Sequence, residues 1–552
     1  MKLIHIAIFL LASFPLLLCS QVPDSSFGVP ASFAGPDYPF PAVTACDFDG
    51  REDRSFATLF LESGNIMLAG HTQGADGTDF ALVRLLHDGK FDASAGPEGQ
   101  MRLDLGYTND SCLAAVLYGN DRIVMGGCVT LPGQEGYVNL VARVDTNGQF
   151  DGAFGQNGHV TIDLPTEYEM ITEIIVLPNG HILIAGNAFF GTSFQFPDAT
   201  TVFVARLLPD GRIDTTFGTN GIVYQRYEHD CRSSLLGDVV VDADDRIILS
   251  GGSYTPYPGV YGGATYCSHN INVCCYLPNG QPDPSFGKNG KLELPYTGGR
   301  AVALHIDELS RIMVAGVINA GVPVEPGYTL FYRLLPDGTP DTTFANNGRF
   351  VKYILGISGS SEPVGIIKAK DHYYCGFVDV AQGDHLWFGL MRLHEYGKID
   401  SLFGKKGLFK SYGWLPGTSY QINQVHSVND QAFYLSGYYS KLSQDNMMIV
   451  KIRTDETVSS KELVLINNDQ RIRIFPNPVK GDKVQISYER DVEKEPLLIQ
   501  LTDMQGRLMY RQWMSFDDAT QELALPDMPN GVYMMSCKGR HRCTIGKLVI
   551  QR

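Results

Sequence analysis

The sequence predicts an all-β protein: a ring of seven four-stranded sheets followed by a small β-sandwich. Three observations predict it. A D-x-x-F-G motif recurs with a period near 60 residues. Two apolar strand signatures keep phase with it, seven copies each. The repeat then stops at residue 454, and residues 471–552 carry a different short-strand pattern.

The motif reads Asp24-Ser-Ser-Phe27-Gly28, then Asp151-Gly-Ala-Phe154-Gly155, Asp214-Thr-Thr-Phe217-Gly218, Asp283-Pro-Ser-Phe286-Gly287 and Asp400-Ser-Leu-Phe403-Gly404. Two copies are degenerate: Ala95 replaces Phe after Asp92, and Ala345 replaces Gly after Asp341-Thr-Thr-Phe344. Successive leading aspartates are 68, 59, 63, 69, 58 and 59 residues apart. One strand signature ends in glycine, as in Ile66-Met-Leu-Ala-Gly70, Ile123-Val-Met-Gly-Gly127 and Ile182-Leu-Ile-Ala-Gly186. The other ends in a cation just before the motif, as in Phe80-Ala-Leu-Val-Arg84, Phe203-Val-Ala-Arg206 and Met448-Ile-Val-Lys451. Both are apolar on two faces, which describes strands buried on both sides. Tight-turn dipeptides such as Asp88-Gly89, Asn147-Gly148, Asn179-Gly180 and Asp337-Gly338 separate them.

Two further strands fit upstream in each unit, so each repeat makes one four-stranded sheet. Radial repetition of such sheets, a seven-bladed β-propeller, protects their edges, and an open solenoid is the alternative. The ends favour the ring. The chain begins with a D-x-x-F-G loop that no strand precedes, and its last unit ends at Lys451-Ile452 with no such loop after it. Val22–Gly28 is therefore expected against Met448–Ile452. The units resemble the delta-60 repeat of secreted bacterial proteins, and that resemblance, over residues 21–454, implies propeller blades. The leading Asp invites a calcium reading. A turn aspartate satisfying backbone amides explains it with fewer ligands than calcium needs.

Residues 455–470 read as a linker. Residues 471–552 then show strands separated by Phe475-Pro476-Asn477-Pro478, Asp503-Met-Gln-Gly506-Arg507 and Asn530-Gly531-Val-Tyr533, closing on Lys547-Leu-Val-Ile550. About seven strands there suit a small Ig-like sandwich. These landmarks resemble the type A sorting domain of the type IX secretion system. The resemblance implies passage into the periplasm, translocation across the outer membrane, and release or attachment at the cell surface. The partner of residues 471–552 is then the secretion machinery.

Residues 1–20 agree with export: Lys2 precedes the apolar run Leu3–Leu18, and cleavage after Ser20 gives a mature start at Gln21. A lipoprotein reading would use Cys19, although Leu18 stands where a small residue is usual. No later segment approaches the ~20 apolar residues of a membrane span. With 44 Lys+Arg against 60 Asp+Glu, the net charge of -16 argues against nucleic acid or an anionic membrane as partner. Exported chains can keep disulfides. Cys112 and Cys128 lie symmetrically about a turn at Gly119-Asn120-Asp121, and Cys537 and Cys543 about Gly539-Arg540-His541, which makes each pair a bridge candidate; Cys231 with Cys267 is a weaker one.

No catalytic set emerges. There is no HExxH or CxxC, and Gly356-Ile-Ser358-Gly359-Ser360 only approaches a nucleophile elbow. His71, His229 and His269 fall in loop-like segments, and the histidines do not recur at equivalent repeat positions as read from the sequence. The inserts are richer: Tyr254, Tyr257, Tyr261 and Tyr266 in one, Phe189, Phe190 and Phe194 in another. Aromatic insert loops on a rigid ring suit a glycan or protein ligand. The expected function is an exported binding or scaffold propeller that uses no cofactor. The alternative is an extracellular lyase or hydrolase whose residues come from several blades.

Overall fold

In a computed structural model the chain divides into two units, Met1–Asp455 and Glu456–Arg552. The structure describes residues 22–23, 27, 43–453 and 472–550, apart from a few short turns and longer loops. Those loops are 191–198, 228–232, 255–269, 319–327, 353–358, 382–387 and 411–417 in the first unit, and 476–482, 489–496, 504–507 and 515–519 in the second.

The first unit is a seven-bladed β-propeller. Four-stranded antiparallel sheets begin at Asp53, Thr108, Tyr168, Ser233, Gly299, Gly359 and Thr418, and these are blades 1 to 7. In blade 1 the strands are Asp53–Phe60, Ile66–Gln73, Thr78–Leu85 and Gln100–Leu103. First strands of consecutive blades touch, and the ring closes where Thr418–Asn429 meets Asp53–Phe60. Second and third strands are buried on both faces, as their unbroken apolar text requires.

Closure follows the expected route with one addition. Val22 and Pro23 pair with Arg453 and Ile452. Phe27 is 2% exposed, edge-on to Tyr434 at 5.7 Å. The outer strand of blade 7 is Val43–Cys46, in register with Met447–Val450. Nothing in the repeat marks those four residues as a strand.

The glycine ending the first signature has a steric cause. Every first strand carries a bulge at one repeat position, between Ser55/Ala57, Cys112/Ala114, Ile171/Glu173, Leu236/Asp238, Ala301/Ala303, Pro363/Gly365 and Ile422/Gln424. The extra residue pushes a carbonyl towards the second strand. A Cβ at Gly70 would lie 1.8 Å from the Arg54 carbonyl oxygen, one at Gly127 1.8 Å from that of Ser111, and one at Gly437 1.9 Å from that of Gln421. Only glycine fits beside the bulge in these three blades, whereas blade 6 sets Phe377 opposite Pro363 there.

The second unit has seven described strands in two antiparallel sheets. One holds Ile472–Phe475, Lys483–Tyr488 and Thr520–Ala524; the other holds Leu497–Asp503, Leu508–Met514, Gly531–Lys538 and Cys543–Ile550. Val484, Ile486 and Leu523 of the first share a core with Ile499, Leu501, Met535 and Leu548 of the second. Buried Tyr533 donates its hydroxyl to the Pro529 carbonyl at 2.8 Å, which fixes the turn before its strand.

Candidate ligand-binding face

The two faces of the ring carry different chemistry. D-x-x-F-G loops join third to fourth strands on one face. On the opposite face, second strands end and third strands begin, and residues 191–198, 255–269, 319–327 and 382–387 connect them there.

On the first face the motif is a clasp between blades. In blade 5, Arg333 Nε donates to Asp341 Oδ2 at 2.7 Å, its Nη1 to the Glu395 carbonyl of the next blade at 2.6 Å, and its guanidinium lies 4.8 Å from the centre of the Phe344 ring. Arg143–Asp151–Phe154 and Arg206–Asp214–Phe217 repeat this geometry. The other carboxylate oxygen accepts the amide two residues on, as from Thr343 to Asp341. Burial alone would raise the Asp341 carboxyl, but the Thr343 hydroxyl and amide and the Arg333 guanidinium outweigh it and hold it below the usual carboxylate range. Asp151, Asp214 and Asp341 thus each have an arginine and a turn amide as partners. Blade 4 has Cys275 in the arginine place, and Arg246 reaches Asp283 from the preceding turn at 3.1 Å. Blade 7 closes the pattern with Lys451 5.6 Å from the Phe27 ring centre.

The cysteine expectation fails for Cys112 and Cys128, which are both buried and free. The bulge beside Cys112 slips the register by one, so Cys112 faces Gly127 and Cys128 faces Ser111. Cys537 pairs with Thr544 and Cys543 with Lys538, again one position out of opposition. Cys231 and Cys267 lie outside the described residues. Tyr254 ends the second strand of blade 4, while Tyr257, Tyr261 and Tyr266 lie outside the described residues, as do Phe194, His229 and His269. Phe189 is buried within blade 3. His71 is buried with Nδ1 3.2 Å from the Cys112 carbonyl oxygen, and burial pulls it down to about 4. Gly359 and Ser360 open the first strand of blade 6, so the elbow-like run leads into a strand. Of the sorting landmarks, Gly531, Tyr533 and Lys547 sit in paired strands, and Pro476, Asn477, Pro478 and Gly506 lie outside the described residues.

Two groups escaped the sequence reading. Where blade 7 meets blade 1 on the loop-bearing face, Arg54 Nε donates to Asp445 Oδ2 at 2.5 Å. Its guanidinium lies 5.3 Å from the Tyr438 ring centre. The half-buried bulge residue Phe56 packs at 6.2 Å from Tyr438 and 5.4 Å from His71. Partly exposed rings beside a charged pair offer a platform for a polar ligand with apolar faces. The second group is Glu173 and Asp238, which follow the bulge in neighbouring first strands. Burial pushes Asp238 up to about 7 although it accepts the Leu304 and Val239 amides, and burial with the Asp238 charge raises Glu173.

Comparison with known proteins agrees with the architecture. Residues 473–551 match the family described as Secretion system C-terminal sorting domain. Residues 62–94 and 177–217 match the Domain of unknown function (DUF5122) beta-propeller. No curated protein matches the chain. Among solved structures it is similar to the α-L-arabinofuranosidase arb93a from Fusarium graminearum, at TM-score 0.33 and 8% identity over 63% of this chain and 95% of that one. It is also similar to a GH43_1 enzyme from Xanthomonas citri, at TM-score 0.26 and 12% identity over 50% and 86%. Likeness at this level carries no argument about chemistry. Among the described residues no helix is long and apolar enough to cross a membrane. The chain is a seven-bladed β-propeller with a C-terminal sorting domain of the type IX secretion system, which directs it to the cell surface or beyond.

Proposed function

We propose that the exported propeller is a binding protein that holds an extracellular glycan or protein on its loop-bearing face. The observation that supports this reading is the Phe56–Tyr438–Arg54–Asp445 cluster, placed on the face from which the inserts depart. A glycan array, with a pull-down from the cell-surface fraction, tests it on the mature chain. Binding should weaken at least about tenfold in Tyr438→Ala, the loss of about 1.4 kcal/mol usual for a contact that matters. No retained glycan or protein in either screen overturns it.

A second reading, an extracellular hydrolase or lyase, draws on Glu173 and Asp238. Adjacent carboxylates with raised pKa can hold one proton between them, as a general acid requires. Both Asp238 oxygens also accept backbone amides, one from the next blade, which is the work of a staple between strands. Turnover of an extracellular polysaccharide that vanishes in Glu173→Gln would favour the enzyme.

A further inference from the structure

The repeat supplies its own comparison set. The residue that precedes or opens each second strand is Asn65, Arg122, His181, Arg246, Arg311 or His372 in blades 1 to 6, as the pairs Ile66↔Leu85, Ile123↔Val144, Ile182↔Leu207, Ile247↔Tyr276, Ile312↔Leu334 and Tyr373↔Leu393 establish. In each of these six blades it approaches the motif aspartate. Asn65 Nδ2 is 3.1 Å from Asp92, Arg122 Nε 2.8 Å from Asp151, and Arg246 Nη1 3.1 Å from Asp283. Each of these donates to the carboxylate, Asn65 through a neutral amide and Arg122 and Arg246 through a guanidinium that neutralises it.

Blade 6 departs twice. His372 takes this place, and His394 stands where blades 1, 3, 4 and 5 have Leu86, Leu208, Leu277 and Leu335. The two histidines pair directly across the strands, with ring centres 4.8 Å apart. His372 Nε2 lies 3.4 Å from Asp400 Oδ2, and His394 Nε2 3.8 Å from Asp400 Oδ1. The His372 Nε2 atom is buried and makes no hydrogen bond. An imidazole nitrogen is therefore aimed, without a partner, at a second imidazole and a carboxylate.

We propose that His372, His394 and Asp400 bind a divalent transition metal, zinc by preference. One candidate ligand atom from each residue lies within 4.8 Å of the others. A zinc ion with ligands at about 2 Å separates tetrahedral neighbours by roughly 3.3 Å, which the two histidine–carboxylate spacings of 3.4 and 3.8 Å approach. Two imidazoles and a carboxylate suit zinc, and a site with three protein ligands leaves a position for water or a ligand. The surroundings resemble an outer shell. Arg392 Nη2 at 2.5 Å and the Leu402 amide at 3.0 Å fix the Asp400 oxygens, each of which keeps a second lone pair. Tyr396 stacks on the His394 ring at 5.0 Å and 5°.

The test is calorimetric titration of tag-free, chelator-treated full-length protein with Zn²⁺ alone. One ion should bind per chain. His372→Asn and His394→Leu install residues that other blades already use, so the ring should stay folded, as metal-free melting checks. Each should weaken binding at least about tenfold. His181→Asn, in a blade with one histidine and Leu208, should change nothing. The proposal is overturned if the wild type takes up no zinc at micromolar concentration, if both blade 6 variants bind as the wild type does, or if His181→Asn removes binding equally.

Discussion

The two faces of the ring differ in how far the seven blades agree. On the clasp face the guanidinium-to-ring distance is 4.8 Å in blades 2, 3, 5 and 6. Where the arginine is lost, at Cys275, Arg246 restores the ion pair from another position. On the opposite face the Arg54–Tyr438–Phe56 cluster occurs once among the described residues. The clasp carries its neighbour's backbone, as when the Gly218 amide bonds the Asn279 carbonyl at 2.8 Å, so each blade must match the next. The loop-bearing ends also meet, but through contacts that differ from blade to blade, as Arg54 with Asp445 and Arg300 with Glu362 do. Repetition holds where one bond recurs between blades, and function has room where the contacts differ.

This contrast predicts unequal costs. Arg333 is 1% exposed, and Arg333→Met would leave the Asp341 carboxylate buried with Arg311 Nη1 only at 3.9 Å. The expected loss is about 3–5 kcal/mol, read as a shift of the urea midpoint. A loss below about 1 kcal/mol would show that the clasp does not hold the blades. Gly127→Ala comes next, since its Cβ would strike the Ser111 carbonyl, and it should cost about 1–3 kcal/mol. Gly152→Ala, with nothing within 4 Å of the added carbon, is the control and should be nearly silent.

The repeat was legible because its signals are local. Apolar runs, tight turns and the D-x-x-F-G motif each lie within a few residues, and their phase alone seated Phe27 under Lys451. What escaped depends on the third dimension. The signature glycines were visible, but their cause, a carbonyl displaced by a bulge one strand away, was not. That bulge also defeated the Cys112–Cys128 expectation, since equal spacing from a turn implies opposition only in an unbroken ladder. His181 and His372 occupy one repeat position, yet blade 6 carries Gly376 one place early, which hides the equivalence. Arg54 and Asp445 meet only because the ring closes.

The loop-bearing ends of the first strands also set a pH dependence. Burial pushes Asp53 and Asp110 up to about 7 and Glu169 up to about 8. In the unfolded chain these groups titrate near 4. Between about pH 4 and pH 8 the folded state holds protons that the unfolded state has released, so stability falls as pH rises through that window. The clasp aspartates act oppositely: Asp214 and Asp341 are held low, and their contribution is lost as pH falls below the unfolded value. Urea midpoints should therefore be higher at pH 5 than at pH 8. Asp53→Asn should narrow that difference, because the amide can accept the Phe48 amide proton and donate to the Thr72 hydroxyl. A midpoint that climbs from pH 5 to pH 8 contradicts the assignment.

A much smaller effect on stability than at the clasp is expected at the proposed binding cluster. Arg54 has a side chain 37% exposed, so solvent screens its end of the ion pair, although the Asp445 side chain is only 8% exposed. Asp445 keeps the Ser440 hydroxyl as a donor after Arg54→Met. The substitution should cost less than about 1 kcal/mol, against several for Arg333→Met measured in the same titration. Its effect should appear in binding instead, because the guanidinium holds the Tyr438 ring and supplies the charge of the platform. Equal costs at the two arginines would erase the distinction between the faces. Full retention of ligand by Arg54→Met would move the binding surface away from the junction of blades 7 and 1 and out towards the inserts.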